Sequence, residues 1–185
     1  MTSVLGTVIA SSVASAQPAA NRLTIEIAPS LLMMGGNSMP TGQFGIGVAA
    51  AYAVTGPLEL SAGVDVFDKT DPVVCTLSPD SSCDTRYLRA AGTIMARLLL
   101  HSGETVTPYA AAGAYLTRWD GSNELPFEPA VPVSGSGPSG AAGALGVRIT
   151  PSVASALTFR FEVAALFDVE GGTGTILRAG IGWRP

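Results

Sequence analysis

Between Leu157 and Val163 the large apolar side chains Leu157, Phe159, Phe161 and Val163 alternate with Thr158, Arg160 and Glu162. Successive residues of a strand point to opposite faces, so this stretch carries an apolar stripe on one side and an Arg and a Glu on the other. The end of the chain repeats the pattern, with Leu177, Ala179, Ile181 and Trp183 set against Arg178, Gly180, Gly182 and Arg184. The alternation predicts eight strands, over residues 22–32, 42–54, 58–67, 86–100, 105–117, 140–149, 153–167 and 173–184. Most reach the roughly 9 to 11 residues that a tilted strand needs to cross a bilayer.

The connections sort by length. Thr55-Gly56-Pro57, His101-Ser102-Gly103-Glu104 and Thr150-Pro151-Ser152 read as tight turns, whereas 33–41, 68–85 and 118–139 are long and rich in Gly, Pro and Ser. Short turns on one rim and long loops on the other are the asymmetry of outer-membrane barrels. The pattern predicts an all-β fold, an eight-stranded antiparallel up-and-down transmembrane barrel with long extracellular loops and both termini on the short-turn side.

The same alternation fits a soluble sandwich or barrel unless the faces are assigned. In lipid the apolar face turns outward and the charged face inward, the inverse of a soluble protein. Composition favours lipid: 47% of residues are hydrophobic and 13% charged, with a mean hydropathy of +0.39. Past the N-terminal leader no apolar run approaches the roughly 18 residues of a membrane helix. The net charge of -4 disfavours nucleic acid as a partner.

With that assignment the outward set includes Leu23, Ile25, Ile27, Phe44, Ile46, Val48, Tyr52, Leu60, Val64, Ile94, Leu98 and Leu145. The inward set places ten charges in the lumen: Arg22, Glu26, Glu59, Asp65, Arg89, Arg97, Arg148, Arg160, Glu162 and Arg178. An eight-stranded barrel has an interior just wide enough for side chains to fill. Such charges must therefore pair, because an isolated buried charge is too costly. Inward glycines such as Gly45, Gly47, Gly146, Gly180 and Gly182 are expected to make room for the long Arg side chains.

Residues Val4 to Ala16 are uncharged and mostly small or apolar, and Ala14-Ser15-Ala16 before Gln17 fits a small-x-small cleavage site. We read 1–16 as a signal peptide and 17–185 as the barrel domain; since no Lys or Arg precedes the apolar stretch, a plain N-terminal tail is the alternative. Export makes a local disulfide between Cys75 and Cys83 the expected state of the two cysteines. No His or Cys spacing suggests a metal site, and no motif calls for a cofactor.

Catalysis finds little support. The single histidine, His101, neighbours Ser102 and Glu104 in a tight turn, where adjacent residues seldom converge into a triad. The inward carboxylates face arginines, so ion-paired filling outranks acid/base work. The expected external loops carry Asp68, Asp71, Asp80, Asp84, Asp120, Glu124, Glu128, Asp168 and Glu170 against Lys69, Arg86 and Arg118. Such a rim could hold divalent cations bridging to lipopolysaccharide, or simply keep the loop tips soluble.

Two segments carry a resemblance. Thr107-Pro108-Tyr109-Ala110-Ala111-Ala112-Gly113-Ala114-Tyr115 resembles a recurrent strand of the small outer-membrane β-barrel superfamily, which includes the OmpA transmembrane domain, OmpX-like proteins and opacity-type surface proteins. The stretch from Leu177 to Trp183 resembles its closing strand, with Pro185 standing where the family ends in an aromatic residue. The resemblance implies recognition of the last strand by the barrel assembly machinery, contacts with outer-membrane lipid, and a monomer with a structural or surface-interaction role, at most a narrow porin-like channel. The rival readings are a soluble exported lipocalin-like ligand-binding barrel and a lipid A-modifying barrel enzyme.

Overall fold

The computed structural model describes residues 22–34, 41–74, 82–100, 105–123, 131–154, 156–169 and 173–185. Eight strands follow one another in the order β1 (Leu23–Met34), β2 (Thr41–Thr55), β3 (Leu58–Val74), β4 (Ser82–Leu99), β5 (Val106–Asn123), β6 (Val131–Ile149), β7 (Leu157–Asp168) and β8 (Thr173–Trp183). Each pairs antiparallel with its neighbour in sequence, and β1 pairs with β8 to close the barrel. Closure leaves no sheet edge around the barrel wall, the condition for strands to survive in hydrocarbon.

The faces fall as the alternation predicts. Along β7 the outward Phe159, Phe161 and Val163 alternate with buried Thr158, Arg160, Glu162 and Ala164. Ile27, Phe44, Ile46, Ile94 and Leu145 are among the most exposed large side chains of the molecule, whereas Glu26, Asp65, Arg97, Arg160 and Glu162 are almost wholly buried. A soluble barrel would have the opposite arrangement. Outward aromatics stand toward both ends of the wall: Tyr52, Phe159 and Trp183 near the short turns, Phe44 and Phe167 at the far end. They are placed as the girdles that flank a membrane barrel's apolar band.

Of the expected long loops, 68–74 and 82–85 of one and 118–123 and 131–139 of another are strand. The β3–β4 ladder keeps one register from Leu58↔Leu98 to Val74↔Ser82, and β5–β6 stays paired to Asn123↔Val131. A backbone ladder needs no apolar side chains, so it continues past the point where the alternation stops being readable. Among the described residues, 68–74 of β3 and 131–138 of β6 have a ladder partner on one side only, because β2 pairs as far as Phe67 and β7 as far as Gly140. Pro72, Pro132 and Pro138 fall in these half-paired stretches, where a missing N–H can be spared. The four strands β3 to β6 thus rise above the rest of the barrel as a protruding sheet.

One irregularity shapes that sheet. Between Leu116 and Arg118 the register shifts as β6 inserts an extra residue, and the Thr117 hydroxyl donates to the Pro138 carbonyl across 2.7 Å. Above this bulge Trp119 lies against Gly135, where a Cβ would stand 2.8 Å from the ring. At the other rim β7 begins at Leu157, four residues later than expected. Ala154 N–H donates to Pro151 O at 3.1 Å and Leu157 N–H to Ala154 O at 2.9 Å, so a turn opened by Pro151 precedes β7.

Candidate functional site in the barrel lumen

Strand register stacks the inward side chains in two tiers. The first, toward the short turns, is ionic. Arg148 on β6 bonds Glu59 on β3 at 2.6 Å. Above that pair, Arg160 reaches Glu26 at 2.9 Å and Glu162 at 3.3 Å. Arg97 approaches the same two carboxylates at 3.4 and 3.8 Å. Arg178 completes the tier: Nη1 stands 2.6 Å from Glu162, and Nε bonds both Asp65 oxygens at 3.1 Å. Four carboxylates thus meet four guanidinium groups, and every member has an opposite charge within reach. Such mutual pairing offsets the desolvation each charge suffers in a dry interior.

Glu162 is the hub. It touches Arg97, Arg160 and Arg178 and also accepts the Tyr109 hydroxyl hydrogen bond at 2.7 Å. The Arg97 guanidinium stacks over the Tyr109 ring, 5.5 Å from its centroid, adding a cation–π contact. Register explains how β5 reaches β7: Tyr109 pairs with Gly146, and Gly146 with Glu162. A side chain at 146 would collide with the Tyr109 ring, so the glycine opens the path.

The second tier is apolar. Leu32, Phe67, Leu166 and Ile176 are the largest wholly buried hydrophobic side chains and belong to one cluster with Ala91, Tyr115, Ala142 and Ala164. They share the inward parity of the charges further down the same strands. Against the ionic tier lies a cavity of about 10 Å³ bounded by Gly47, Ser61, Asp65, Met95, Arg97 and Arg178. That is at the lower limit for one water molecule.

Of the ten charges expected in the lumen, eight form the ionic tier. Arg22 and Arg89 lie half-buried near opposite ends, Arg22 before β1 and Arg89 in upper β4, where it pairs in register with Phe67 and Trp119. The inward glycines do not chiefly accommodate arginine. Gly45 makes way for the Phe67 ring, Gly47 for Asp65, Gly146 for Tyr109 and Gly182 for Thr158. Short or rigid side chains need the missing Cβ most, because they cannot swing aside.

Sequence reasoning missed Tyr109 and the apolar tier. The signal was present, since Tyr109 shares its strand face with Ala111 and Tyr115, and Leu32 shares its face with Glu26. Arg184, just beyond β8, is held below the usual arginine pKa by burial and by the neighbouring charge of Arg148.

Other expected sites lie elsewhere. His101, Ser102, Glu104 and Cys75 fall outside the described residues, while Cys83 pairs in backbone register with Val73. Of the acidic rim, Asp68, Asp71, Asp84, Asp120 and Asp168 sit on strands rather than in loops, and Asp80, Glu124, Glu128 and Glu170 are outside the described residues. Arg118 and Asp120 form an exposed pair at 3.6 Å. Among the described residues no cluster of His, Cys, Asp or Glu has the makings of a metal site.

A closed eight-stranded up-and-down barrel with an apolar wall and an ionic lumen has the fold of the small outer-membrane β-barrel superfamily. No family model and no curated protein matches the chain in sequence. Solved structures do match in shape. Ail, the attachment invasion locus protein of Yersinia pestis, solved with the heparin analogue sucrose octasulfate, superposes with a TM-score of 0.62 at 12% identity, covering 88% of this chain and 97% of that one. Neisserial surface protein A gives 0.56 at 14% identity over 88% and 97% of the two chains. The outer membrane protein OprG of Pseudomonas aeruginosa gives 0.55 at 11% identity over 88% and 95%. At such identities the likeness is one of fold.

Proposed function

We propose that the chain is an integral protein of a bacterial outer membrane, with a structural or surface-interaction role, no catalysis and no wide channel. The observation that carries the membrane reading is the inversion of faces: Phe44, Ile46, Ile94 and Leu145 point out while four ion pairs' worth of charge is buried inside. Exposed apolar area of this extent around a whole barrel wall is untenable in water and required in lipid.

The surface role rests on the protruding sheet of β3 to β6, which holds Asp68, Arg118 and Asp120 clear of the barrel. In this reading residues 1–16 are the cleaved export signal, the protruding sheet is extracellular, and the terminal strand around Leu177, Ile181 and Trp183 is read by the barrel assembly machinery. Outer-membrane lipid and lipopolysaccharide are the barrel's neighbours, and the barrel acts as a monomer. Cys75 and Cys83 are joined by a disulfide.

Cell fractionation combined with gel mobility before and after boiling tests the membrane assignment. Recovery in the outer-membrane fraction, with a compact band that shifts on heating, is expected; recovery in the soluble periplasmic fraction would contradict it. Protease treatment of intact cells tests the orientation, since cleavage is expected within the β3–β4 and β5–β6 hairpins and not at the 150–156 turn.

A further inference from the structure

We propose that the barrier to ion passage through this barrel is the apolar tier around Leu32, Phe67, Leu166 and Ile176, and that the ionic tier beneath it is not the seal. The inference rests on the membrane-spanning reading above and concerns which layer of the lumen closes it. The four side chains are exposed by 1% or less. Their cluster draws Leu32 from β1, Phe67 from β3, Ala91 and Met95 from β4, Tyr115 from β5, Ala142 from β6, Leu166 from β7 and Ile176 from β8. Only β2 gives it no side chain. There Gly45 stands opposite Phe67, and a Cβ on it would lie 2.6 Å from Phe67 Cδ1, so the ring covers the bare backbone and closes the ring of contacts.

Five buried polar side chains border the tier: Gln43 and Thr117 on its outer side, and Ser30, Thr93 and Asp65 on the side of the ionic tier, where Asp65 is bound by Arg178. Gln43 is buried on β2, and the Thr117 hydroxyl is committed to the Pro138 carbonyl. An ion passing between Leu32, Phe67, Leu166 and Ile176 would shed its water against side chains that offer no ligand, the condition under which a hydrophobic constriction blocks flow by dewetting. The ionic tier differs in kind. Its guanidinium and carboxylate groups can exchange partners, as Arg97 and Arg160 already share Glu26 and Glu162. Its arginines also keep polar atoms without a protein partner, Arg97 Nε and Arg160 Nε. Groups that trade hydrogen bonds with water and with each other can pass an ion along; packed Leu, Ile and Phe side chains cannot.

Purified full-length protein, reconstituted into potassium-loaded liposomes and planar bilayers, tests this with three variants. E26Q/R97Q removes one opposite-charge pair from the ionic tier in a balanced way. F67A/L166A hollows the apolar tier. F67Q puts a shorter polar side chain in place of the ring and makes the tier wettable, should the hollowed variant fail to insert, with heat-modifiable gel mobility reporting insertion for each. The expected result is potassium efflux near the protein-free level for wild type and E26Q/R97Q, and a rise on the order of tenfold or more for F67A/L166A and F67Q. If E26Q/R97Q conducts as well as the apolar-tier variants, or if neither apolar-tier variant conducts, the assignment of the seal is overturned. Sustained large conductance from wild type is a separate outcome, one that overturns the closed lumen itself.

Discussion

Tyr109 on β5 donates its hydroxyl hydrogen bond to Glu162 on β7 across 2.7 Å, passing over β6 at Gly146. β5 and β7 are thereby tied to each other through the lumen, as each is tied to β6 through the wall. A methyl group at 146 would collide with the Tyr109 ring and stand 2.8 Å from the Phe161 carbonyl oxygen. Gly146→Ala is therefore expected to destabilise the barrel by about 1 to 3 kcal/mol through overpacking. Tyr109→Phe keeps the ring and removes the hydrogen bond, costing about 1 to 2 kcal/mol. Urea unfolding from lipid vesicles measures both, and a neutral Gly146→Ala would count against this packing.

The hub position of Glu162 sets an order among the lumen carboxylates. Glu162→Gln leaves Arg97, Arg160 and Arg178 sharing only Glu26 and Asp65. An uncompensated buried charge costs about 3 to 5 kcal/mol. Glu59 faces Arg148 near the lumen end, where both side chains retain some solvent contact, 8% and 10% exposed. Glu59→Gln is expected to cost distinctly less than Glu162→Gln in the same unfolding assay. The reverse ranking would contradict the hub.

Much of this fold is legible in the sequence because membrane strands write their faces in alternation. The segment from Leu157 to Val163 states both its secondary structure and its two environments. The lumen is legible where it is charged, since Glu26, Asp65, Arg97, Arg160 and Arg178 stand out against small and apolar neighbours. It is illegible where it is apolar. Leu32, Phe67, Leu166 and Ile176 look like lipid-facing residues until the parity of their strands is followed past the last charge. The protruding sheet was hidden for a different reason: Ser, Gly and Pro in β6 mark a loop by composition, yet they pair with β5 because the ladder is already in register. The partners of each charge were also beyond reach, because Arg178–Asp65 and Arg148–Glu59 join strands that neither sequence distance nor periodicity brings together.

Opposite faces of β7 are expected to respond differently to substitution. Phe161 points outward and is more than half exposed, so Phe161→Arg near the middle of the wall should cost roughly 2 to 4 kcal/mol. Thr158, wholly buried against Gly182, has no room for a longer side chain. Thr158→Ser should change stability by less than about 1 kcal/mol, whereas Thr158→Arg should block insertion by overpacking. Vesicle-insertion yield together with urea midpoints distinguishes these outcomes.

The proposed Cys75–Cys83 disulfide should be dispensable for the barrel. It links two cysteines close in sequence, so reduction is expected to leave the boiled and unboiled gel bands unchanged. Alkylation of the untreated protein followed by mass measurement checks its presence. Two modified cysteines without prior reduction would rule it out.

The inversion of faces is the central claim, and spin labels placed singly at residues 157 to 163 of β7 in the reconstituted protein test it most directly. Labels replacing Leu157, Phe159, Phe161 and Val163 should collide readily with dissolved oxygen and poorly with a water-soluble nickel complex, as lipid-exposed sites do. Labels replacing Thr158, Arg160 and Glu162 should be poorly accessible to both reagents, giving a clear period of two. Strong nickel collision at the outward positions would place that face in water and contradict the account.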